Sequence, residues 1–281
     1  MYNKQRYIMA RGKRVSAIME QYGLGVMLYS FLNEEEISSP YYIIAKYLLE
    51  NMDGIKSYSI KEFSEKCNVS IATISRFCRK AGLENFFELK MILHSNYLTS
   101  KPEYSFKTFS DVPDSICHAY LDSVIENIRL LKKRLDYCII EELVDDLHSY
   151  PRIGAFGAMH MENTARALQY DLFRCRKIIN IRSSMPKQLE YIKSSTENDV
   201  IIIFTLSGNY LKELQMNAPD WENGHKPKIY VVTGNQKASL SPYVNRAILV
   251  PSPEHDFAAH PYGMSLISSL ISLQYYDKYI K

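Results

Sequence analysis

One stretch of thirteen residues, Ser70 to Gly82, constrains this chain more than any other. It reads Ser-Ile-Ala-Thr-Ile-Ser-Arg-Phe-Cys-Arg-Lys-Ala-Gly. Serine is preferred just before a helix begins, because its side chain accepts a hydrogen bond from a backbone N–H of the first turn. Glycine is preferred just past the end of a helix, where the backbone takes a left-handed conformation. The segment therefore predicts a helix whose two ends are both specified by the sequence.

The two sides of this predicted helix differ in chemistry. At about 100° per residue, its apolar side chains fall on the side expected to face a core, namely Ile74, Phe77, Cys78 and Ala81. The opposite side carries small, hydroxyl-bearing or cationic residues and no acid, namely Ala72, Thr73, Ser75, Arg76, Arg79 and Lys80. Short side chains allow a close approach to bases in the major groove of DNA, and arginine binds guanine or phosphate. A basic amphipathic helix is also typical of an ordinary solvated surface.

The residues upstream favour the DNA-binding alternative. Ser59 to Lys66 predicts a short helix that buries Ile60 and Phe63, and Cys67-Asn68-Val69 predicts a tight turn after it. A short helix, a tight turn and a second, basic helix form a helix-turn-helix, in which the second helix lies in the major groove. We therefore call the helix predicted between Ser70 and Gly82 the recognition helix.

These residues resemble the N-terminal DNA-binding domain of the RpiR family of bacterial regulators. The resemblance runs from Ile37 to Tyr97 and is carried by Ser70, Ala72-Thr73-Ile74, Arg76-Phe77, Lys80, Gly82 and Leu89-Lys90. It implies that the chain binds double-stranded operator DNA. The residues expected to contact DNA are Lys61, Ser70, Ala72, Thr73, Ser75, Arg76, Arg79 and Lys80.

Charge and composition agree with such a role. The chain carries 34 Lys+Arg and 31 Asp+Glu, and residues 1–101 hold 14 and 10 of these, which leaves 20 and 21 for the remainder. The basic excess thus lies in the half with the recognition helix, as contact with phosphate requires. The first residues lack the apolar core of a signal peptide, no apolar run is long enough to span a membrane, and the 5 cysteines include no close pair. These features predict a cytoplasmic protein with no membrane partner and no CxxC redox site.

Composition also predicts where the chain divides. Ser100 to Pro113 is rich in Lys, Pro, Ser, Thr and Asp, which is typical of a linker. We expect an all-α helix-turn-helix domain at residues 1–99, a linker at 100–114 and a second domain at 115–281. In the second domain helical periodicity alternates with short apolar runs, and the runs expected to form strands are 152–157, 177–181, 199–206, 228–233 and 246–250. Continuous apolar strands indicate a parallel sheet covered by helices on both faces, and therefore an α/β three-layer sandwich.

A polar stretch, Thr205-Leu206-Ser207-Gly208-Asn209, follows the third of these strands and enters a helix. Backbone N–H groups and hydroxyls at such a place suit phosphate. The stretch resembles the Ser-x-Ser-Gly loop of the SIS (sugar isomerase) domain, and the resemblance covers Tyr150 to the end of the chain. It implies a sugar-phosphate site formed by Gly157, His160, Ser183, Ser184, Thr205, Ser207, Gly208 and Glu254.

Three positions depart from the SIS pattern. Met159 and Met161 stand where Gly-x-Gly-x-Ser has its second glycine and its serine, and Tyr210 stands where a threonine is expected. A thioether donates no hydrogen bond to a phosphate oxygen, so we expect an altered or weakened ligand site. His160 either compensates as a cationic donor or is incidental.

Together these features predict a transcriptional regulator that senses a sugar phosphate, with no catalytic residue, no metal and no cofactor. An isomerase would need a base beside the sugar carbon, for which Glu254 and His255 are the adjacent candidates. We expect a homodimer or homotetramer, because one recognition helix covers too few base pairs for useful specificity. Two alternatives stay open, namely a sugar-phosphate isomerase and a regulator whose second domain only dimerises.

Overall fold

The computed structural model describes residues 27–94, 116–158, 160–182, 185–217, 225–251 and 262–281. Contacts between Cα atoms divide the chain into two units, Met1–Ser100 and Lys101–Lys281. The predicted linker, residues 100–114, lies outside the described residues, so the predicted domain boundaries remain predictions.

The first unit is helical throughout its described part, residues 27–94, as predicted. Its helices are α1 (residues 27–34), α2 (Pro40–Glu50), α3 (Met52–Ile55), α4 (Ile60–Lys66), α5 (Ile71–Lys80) and α6 (Phe86–His94). Helix α5 is the recognition helix, and its predicted inward side is confirmed, because Ile74, Phe77 and Cys78 are fully buried. The Phe77 ring lies 4.7 Å from the ring of Phe31 in α1. Burial raises the pKa of the Cys78 thiol to about 12, so this cysteine is an uncharged packing residue.

The second unit combines helices with a parallel sheet. In chain order its elements are α7 (Ile116–Arg134), α8 (Tyr137–Ser149), β1 (Arg152–Gly157), α9 (His160–Phe173), α10 (Met185–Lys193), β2 (Asp199–Phe204), α11 (Asn209–Asn217), β3 (Lys228–Thr233), a 3₁₀ helix (Gln236–Leu240), β4 (Arg246–Leu249) and α12 (Tyr262–Tyr279). No helix among the described residues is both long and apolar enough to cross a lipid bilayer.

The sheet is buried on both faces. Its four strands are all parallel and lie in the order β1-β2-β3-β4. Ile153 and Ala155 of β1 face one side, in a core shared with residues of α8, α9 and α12. Phe156 faces the other side, where its ring lies 5.2 Å from that of Tyr191 in α10. The predicted three-layer α/β sandwich is therefore confirmed.

The strand predicted over residues 177–181 is wrong. Only Asn180 pairs with the sheet, through its N–H to the Ile153 carbonyl (2.8 Å) and its own carbonyl, which accepts from the Ala155 N–H (2.9 Å). The start of the segment is held elsewhere, because the Lys177 ammonium donates to the carbonyls of His148 and Tyr150, each at 3.1 Å. The segment thus adds one isolated bridge to the outer edge of β1, and its apolar residue Ile179 packs into the core.

At the amino ends of the strands, ion pairs join the sheet to α8. Lys228, which begins β3, lies 2.9 Å from a Glu142 carboxylate oxygen and 2.6 Å from one of Asp146. Arg246, which begins β4, lies 2.8 Å from the second Glu142 oxygen. These hydrogen bonds outweigh the effect of burial and hold the pKa of the Glu142 carboxyl below its ordinary value. The charged groups at this end of the sheet are therefore paired with one another.

The connections that leave β1 and β2 run in opposite directions. From β1 the chain passes through α9 to Asn180 at the outer edge of the sheet, and from β2 it passes through α11 to β3 on the other side. In open parallel sheets, ligands bind outside the carboxyl ends of the strands at such a reversal. Gly157 pairs with Phe204, so the two carboxyl ends are neighbours. The fold thus places a candidate ligand position between the loops that follow β1 and β2.

Candidate functional site

The turn between α4 and the recognition helix is fixed by its own backbone. Ser59 starts α4 with a capping box, in which its hydroxyl accepts from the Glu62 N–H (3.2 Å) and the Glu62 carboxylate accepts from the Ser59 N–H (2.6 Å). After α4, Asn68 takes a left-handed φ of 51°, and the Val69 N–H donates to the Ser64 carbonyl at 3.0 Å. Asparagine tolerates this conformation better than most side chains, so the predicted tight turn forms without a glycine.

Both predicted ends of the recognition helix are confirmed. At its start, the Ser70 hydroxyl accepts from the Thr73 N–H at 3.1 Å. At its end, Gly82 has a φ of 82°, and the Leu83 N–H donates to the Cys78 carbonyl at 2.8 Å. This is the hydrogen-bond pattern of a Schellman motif, which stops the helix at a glycine.

The predicted DNA-binding residues lie on the accessible surface of the first unit. Their side chains are all exposed or partly exposed. Lys61 lies on α4, Ser70 caps α5, and the others lie on α5, namely Ala72, Thr73, Ser75, Arg76, Arg79 and Lys80. The recognition helix contains no acidic residue, so no carboxylate on it repels phosphate. Arg76 lies along the helix, with its Nε 3.4 Å from the Ala72 carbonyl oxygen. The surface has the charge and the side-chain sizes that suit a major groove.

Lys80 differs from the other cations on this surface. Its ammonium is hydrogen-bonded to the Glu35 carboxylate and lies 4.8 Å from the centre of the Tyr41 ring. The second Glu35 oxygen accepts from the Ser39 hydroxyl at 2.7 Å, and that hydroxyl caps α2 by accepting from the Tyr41 N–H at 3.3 Å. The hydrogen bond from Lys80, together with that from Ser39, holds the pKa of the Glu35 carboxyl below its ordinary value. Lys80 thus ties the end of the recognition helix to the start of α2.

In the second unit, the loop after β1 is short and closely packed. Gly157 is buried, and a Cβ atom there would lie 2.7 Å from backbone atoms of Met161, so only glycine fits. The Met161 side chain is 2% exposed and belongs to the core under the sheet. His160 begins α9 with an exposed side chain. The departure from the SIS pattern at Met161 therefore packs inward and offers no group to a ligand, whereas Met159 lies outside the described residues.

Residues at the end of β3 fix the loop after β2 through hydrogen bonds. The Thr233 hydroxyl and the Gly234 N–H donate to the Leu206 carbonyl (3.3 and 3.1 Å), and the Asn235 side-chain amide donates to the Ser207 carbonyl at 2.7 Å. In a trans peptide the N–H points opposite to the carbonyl. The N–H groups of Ser207 and Gly208 therefore point away from β3.

Side chains around these N–H groups complete the loop. Ser207 is exposed and Thr205 is 5% exposed. Gly208 has a φ of +79°, and a Cβ there would lie 3.0 Å from the Asn235 amide nitrogen. Helix α11 starts at the next residue, Asn209, so the loop combines hydroxyls, oriented N–H groups and a helix N-terminus. Such a combination suits an anionic group.

A buried hydrogen-bond network connects the two loops, and sequence reasoning missed it. The Tyr210 hydroxyl donates to the Gln188 side-chain oxygen at 2.9 Å, and the Gln188 amide donates to the carbonyls of Gly157 (2.9 Å) and Arg182 (2.8 Å). Tyr210 is fully buried and Gln188 is 2% exposed. Tyr210 was notable as a departure from the SIS pattern, whereas Gln188 stands in an amphipathic helix with no signal that marks it as buried.

The remaining predicted ligand residues, Ser183, Ser184 and Glu254, lie outside the described residues, as does His255. Within the described ranges, no group of three or more His, Cys, Asp and Glu side chains is arranged to hold a metal ion.

Comparison with known proteins identifies the first unit. The family model described as "Helix-turn-helix domain, rpiR family" matches residues 33–100, a range that includes α2 to α6 and the recognition helix. This chain carries an rpiR-family helix-turn-helix domain.

Relatives extend the likeness beyond this domain at low identity. An uncharacterised HTH-type transcriptional regulator from Providencia stuartii is 24% identical over 172 residues, which cover 59% of this chain and 60% of that protein. The HTH-type transcriptional regulator HexR from Pseudomonas aeruginosa is 22% identical over 213 residues, which cover 75% of this chain and 73% of HexR. The solved structure of the Vibrio vulnificus NanR protein complexed with ManNAc-6P is 20% identical, covers 92% of both chains and has a TM-score of 0.49.

The ion pair of Lys80 with Glu35 leads us to predict how operator affinity depends on salt concentration in a Lys80 variant. Each cation that neutralises a DNA phosphate contributes about −0.9 to the slope of log affinity against log salt. Because the Lys80 ammonium is already paired with Glu35, we expect Lys80→Met to leave this slope unchanged. Arg79→Met, which removes an exposed cation from the same helix, is expected to reduce the magnitude of the negative slope by about one.

The measurement is fluorescence anisotropy of a labelled operator duplex over a range of KCl concentrations. Glu35→Gln is the matched variant, since it removes the carboxylate partner and keeps the lysine. If Lys80 acts only through Glu35, the double variant Lys80→Met/Glu35→Gln binds no more weakly than the weaker single variant. If Lys80→Met instead reduces the magnitude of the slope by about one, this lysine contacts a phosphate.

Proposed function

We propose that this chain is a bacterial transcriptional regulator that binds duplex operator DNA through its rpiR-family domain. The observation that carries the proposal is the recognition helix itself. It is capped at both ends, packed through Ile74, Phe77 and Cys78, and presents Arg76 and Arg79 on an outer side without acids. A helix so fixed can place its arginines against base edges or phosphates without further ordering.

We further propose that the second unit senses a phosphorylated sugar at the loops after β1 and β2. Support comes from the reversal of the chain between these strands and from the two helices, α9 and α11, that start at this edge. The N–H groups of Ser207 and Gly208, which point away from β3, are suited to phosphate oxygens. The remainder of the sugar would lie between this loop and Gly157.

The same geometry supports a sensor rather than an isomerase. Met161 packs into the core and Tyr210 turns its hydroxyl toward Gln188, so two positions of the SIS pattern supply no group to a substrate. Isomerisation requires a base held at the reacting carbon, whereas a sensor requires only selective binding. We propose on these grounds that the protein is not an enzyme.

We also propose that the regulator works in the cytoplasm as a homodimer or homotetramer. One recognition helix covers few base pairs, and pairing two of them on a symmetric operator supplies the missing specificity.

The experiment that tests the proposal has two arms. Purified full-length protein is used to select its preferred duplex from a library of random sequences, and the selected duplex is then titrated against a scrambled one. Binding to the selected duplex is expected to be about a thousandfold tighter or more, as in sequence-specific regulators. In the second arm, a panel of sugar phosphates is screened for an increase in melting temperature, because a ligand of the native state must raise it. Equal affinity for both duplexes would exclude sequence-specific operator binding, and conversion of a sugar phosphate from the screen into its isomer would identify an isomerase.

A further inference from the structure

An exposed apolar residue, Ile71, lies at the first turn of the recognition helix. The other large apolar residues of this helix, Ile74 and Phe77, are fully buried, whereas Ile71 is 45% exposed. Single exposed apolar residues are common on protein surfaces. The place of Ile71 is what distinguishes it, because the N-terminal residues of a recognition helix are the ones that contact base edges.

The polar groups around Ile71 are already engaged within the helix. The Ser70 hydroxyl accepts the Thr73 N–H at 3.1 Å and lies 2.8 Å from the Thr73 hydroxyl. The Ser75 hydroxyl donates to the Ile71 carbonyl at 3.2 Å. The adjacent Ala72 is exposed and carries only a methyl group. The first turn therefore presents the hydrocarbon of Ile71 and Ala72 outward, and the cations of the helix, Arg76, Arg79 and Lys80, lie one to three turns further along.

The chemistry that matches an outward hydrocarbon surface in the major groove is the thymine C5-methyl group. Thymine is distinguished there by this methyl and by its O4 acceptor, and apolar side chains read the methyl by contact. An aliphatic side chain gains nothing from the donors and acceptors on guanine, cytosine or adenine. We propose that Ile71, flanked by Ala72, contacts the C5-methyl of a thymine in the operator and is a specificity-determining residue. This inference rests on the proposed DNA-binding function.

The test removes that methyl group and nothing else. In the duplex selected by the wild-type protein, each thymine is replaced singly by deoxyuridine, and affinity is measured by fluorescence anisotropy. Burial of one methyl-sized group corresponds to a factor of about four in affinity. We expect one or more replacements per half-site to weaken wild-type binding by about this factor. In Ile71→Ala the same replacements are expected to have almost no effect, since the contact is already lost.

A matched control comes from Ile37, which is 77% exposed in the same unit but outside the recognition helix. Ile37→Ala is expected to keep the full sensitivity to deoxyuridine. Circular dichroism melting shows whether each variant folds. If Ile71→Ala does not fold, Ile71→Val, which removes a single methyl group, is used in its place.

Three results would overturn the proposal. A selected duplex without thymine in its half-sites, wild-type affinities unchanged by every deoxyuridine, or a methyl effect that persists in Ile71→Ala would each show that Ile71 reads no methyl group. In all three cases the wild-type protein still discriminates its selected duplex from a scrambled one. Failure of this inference is therefore distinguishable from failure of the DNA-binding function.

Discussion

Replacing Arg76 and Arg79 together by alanine is expected to reduce operator affinity by about thirtyfold or more, while the melting temperature stays close to that of the wild type. Each arginine contact with a base is worth about 1–3 kcal/mol, and the two side chains project from the same exposed side of the recognition helix. Neither belongs to the core of the first unit, so their removal leaves its packing intact. Anisotropy on the selected duplex gives the affinity, and circular dichroism gives the melting temperature.

Loss of positive charge alone must be separated from loss of a recognition surface. Lys46→Ala combined with Lys56→Ala removes two cations from the same unit, each of which is paired with a neighbouring acid at 3.9 and 3.0 Å. This control is expected to change operator affinity little, because neither lysine lies on α4 or α5. An equal loss in both double variants would attribute the effect to net charge. Unchanged binding of the arginine variant would show that α5 is not the recognition helix.

The recognition helix could be predicted from sequence because its determinants are local. Ser70 and Gly82 act on their own neighbours in the chain: the Ser70 hydroxyl accepts from the Thr73 N–H, and the turn at Gly82 lets the Leu83 N–H donate to the Cys78 carbonyl. The inward side followed from the spacing of Ile74 and Phe77. Asn68 shows the limit of this reasoning, since its left-handed conformation depends on the residue's tolerance rather than on a motif.

Contacts between distant residues were not predictable in the same way. Lys80 reads as a DNA-binding cation from its helix position, but its partner Glu35 lies 45 residues earlier. Residues 177–181 have the apolar run of a strand, but contacts of Lys177 with the end of α8 leave only Asn180 on the sheet. The pattern of apolar residues predicts the type of secondary structure, but it does not predict which other element those residues pack against.

In the loops after β1 and β2, some features follow from the local sequence and others depend on contacts between distant residues. The hydroxyl-rich loop at Ser207 follows the apolar strand β2, whose last residue, Phe204, pairs with Gly157 at the end of β1. The direction of Met161 and Tyr210 did not follow from sequence. Because Met161 packs into the core, a serine there would bury a hydroxyl under the sheet rather than restore a phosphate donor. The departures from the SIS pattern are therefore departures in packing as well as in chemistry.

Ser207→Ala is expected to weaken binding of a sugar phosphate by tenfold to a hundredfold. A hydrogen bond from a hydroxyl to a charged phosphate is worth about 1.5–3 kcal/mol, and alanine cannot make it. The fold should be unaffected, since Ser207 is exposed and, from the described part of the chain, its hydroxyl accepts only a long hydrogen bond, 3.4 Å, from the Asn209 N–H. Operator affinity of the ligand-free protein should also stay unchanged, because Ser207 lies in the second unit. Calorimetric titration with the sugar phosphate that raises the melting temperature most gives the change in affinity.

Ser239→Ala supplies the matched control for this measurement. Ser239 is also an exposed serine, but it lies in the 3₁₀ helix after β3 and not in the loop after β2. Its hydroxyl donates to the Gln236 carbonyl at 2.7 Å. We expect it to bind the ligand as the wild type does. Equal loss of affinity in both variants would place the phosphate elsewhere on this edge of the sheet. Wild-type affinity in Ser207→Ala would mean that the backbone N–H groups of the loop hold the phosphate without the hydroxyl. The absence of any sugar-phosphate ligand for the wild type would favour the remaining alternative, in which the second unit serves only for dimerisation.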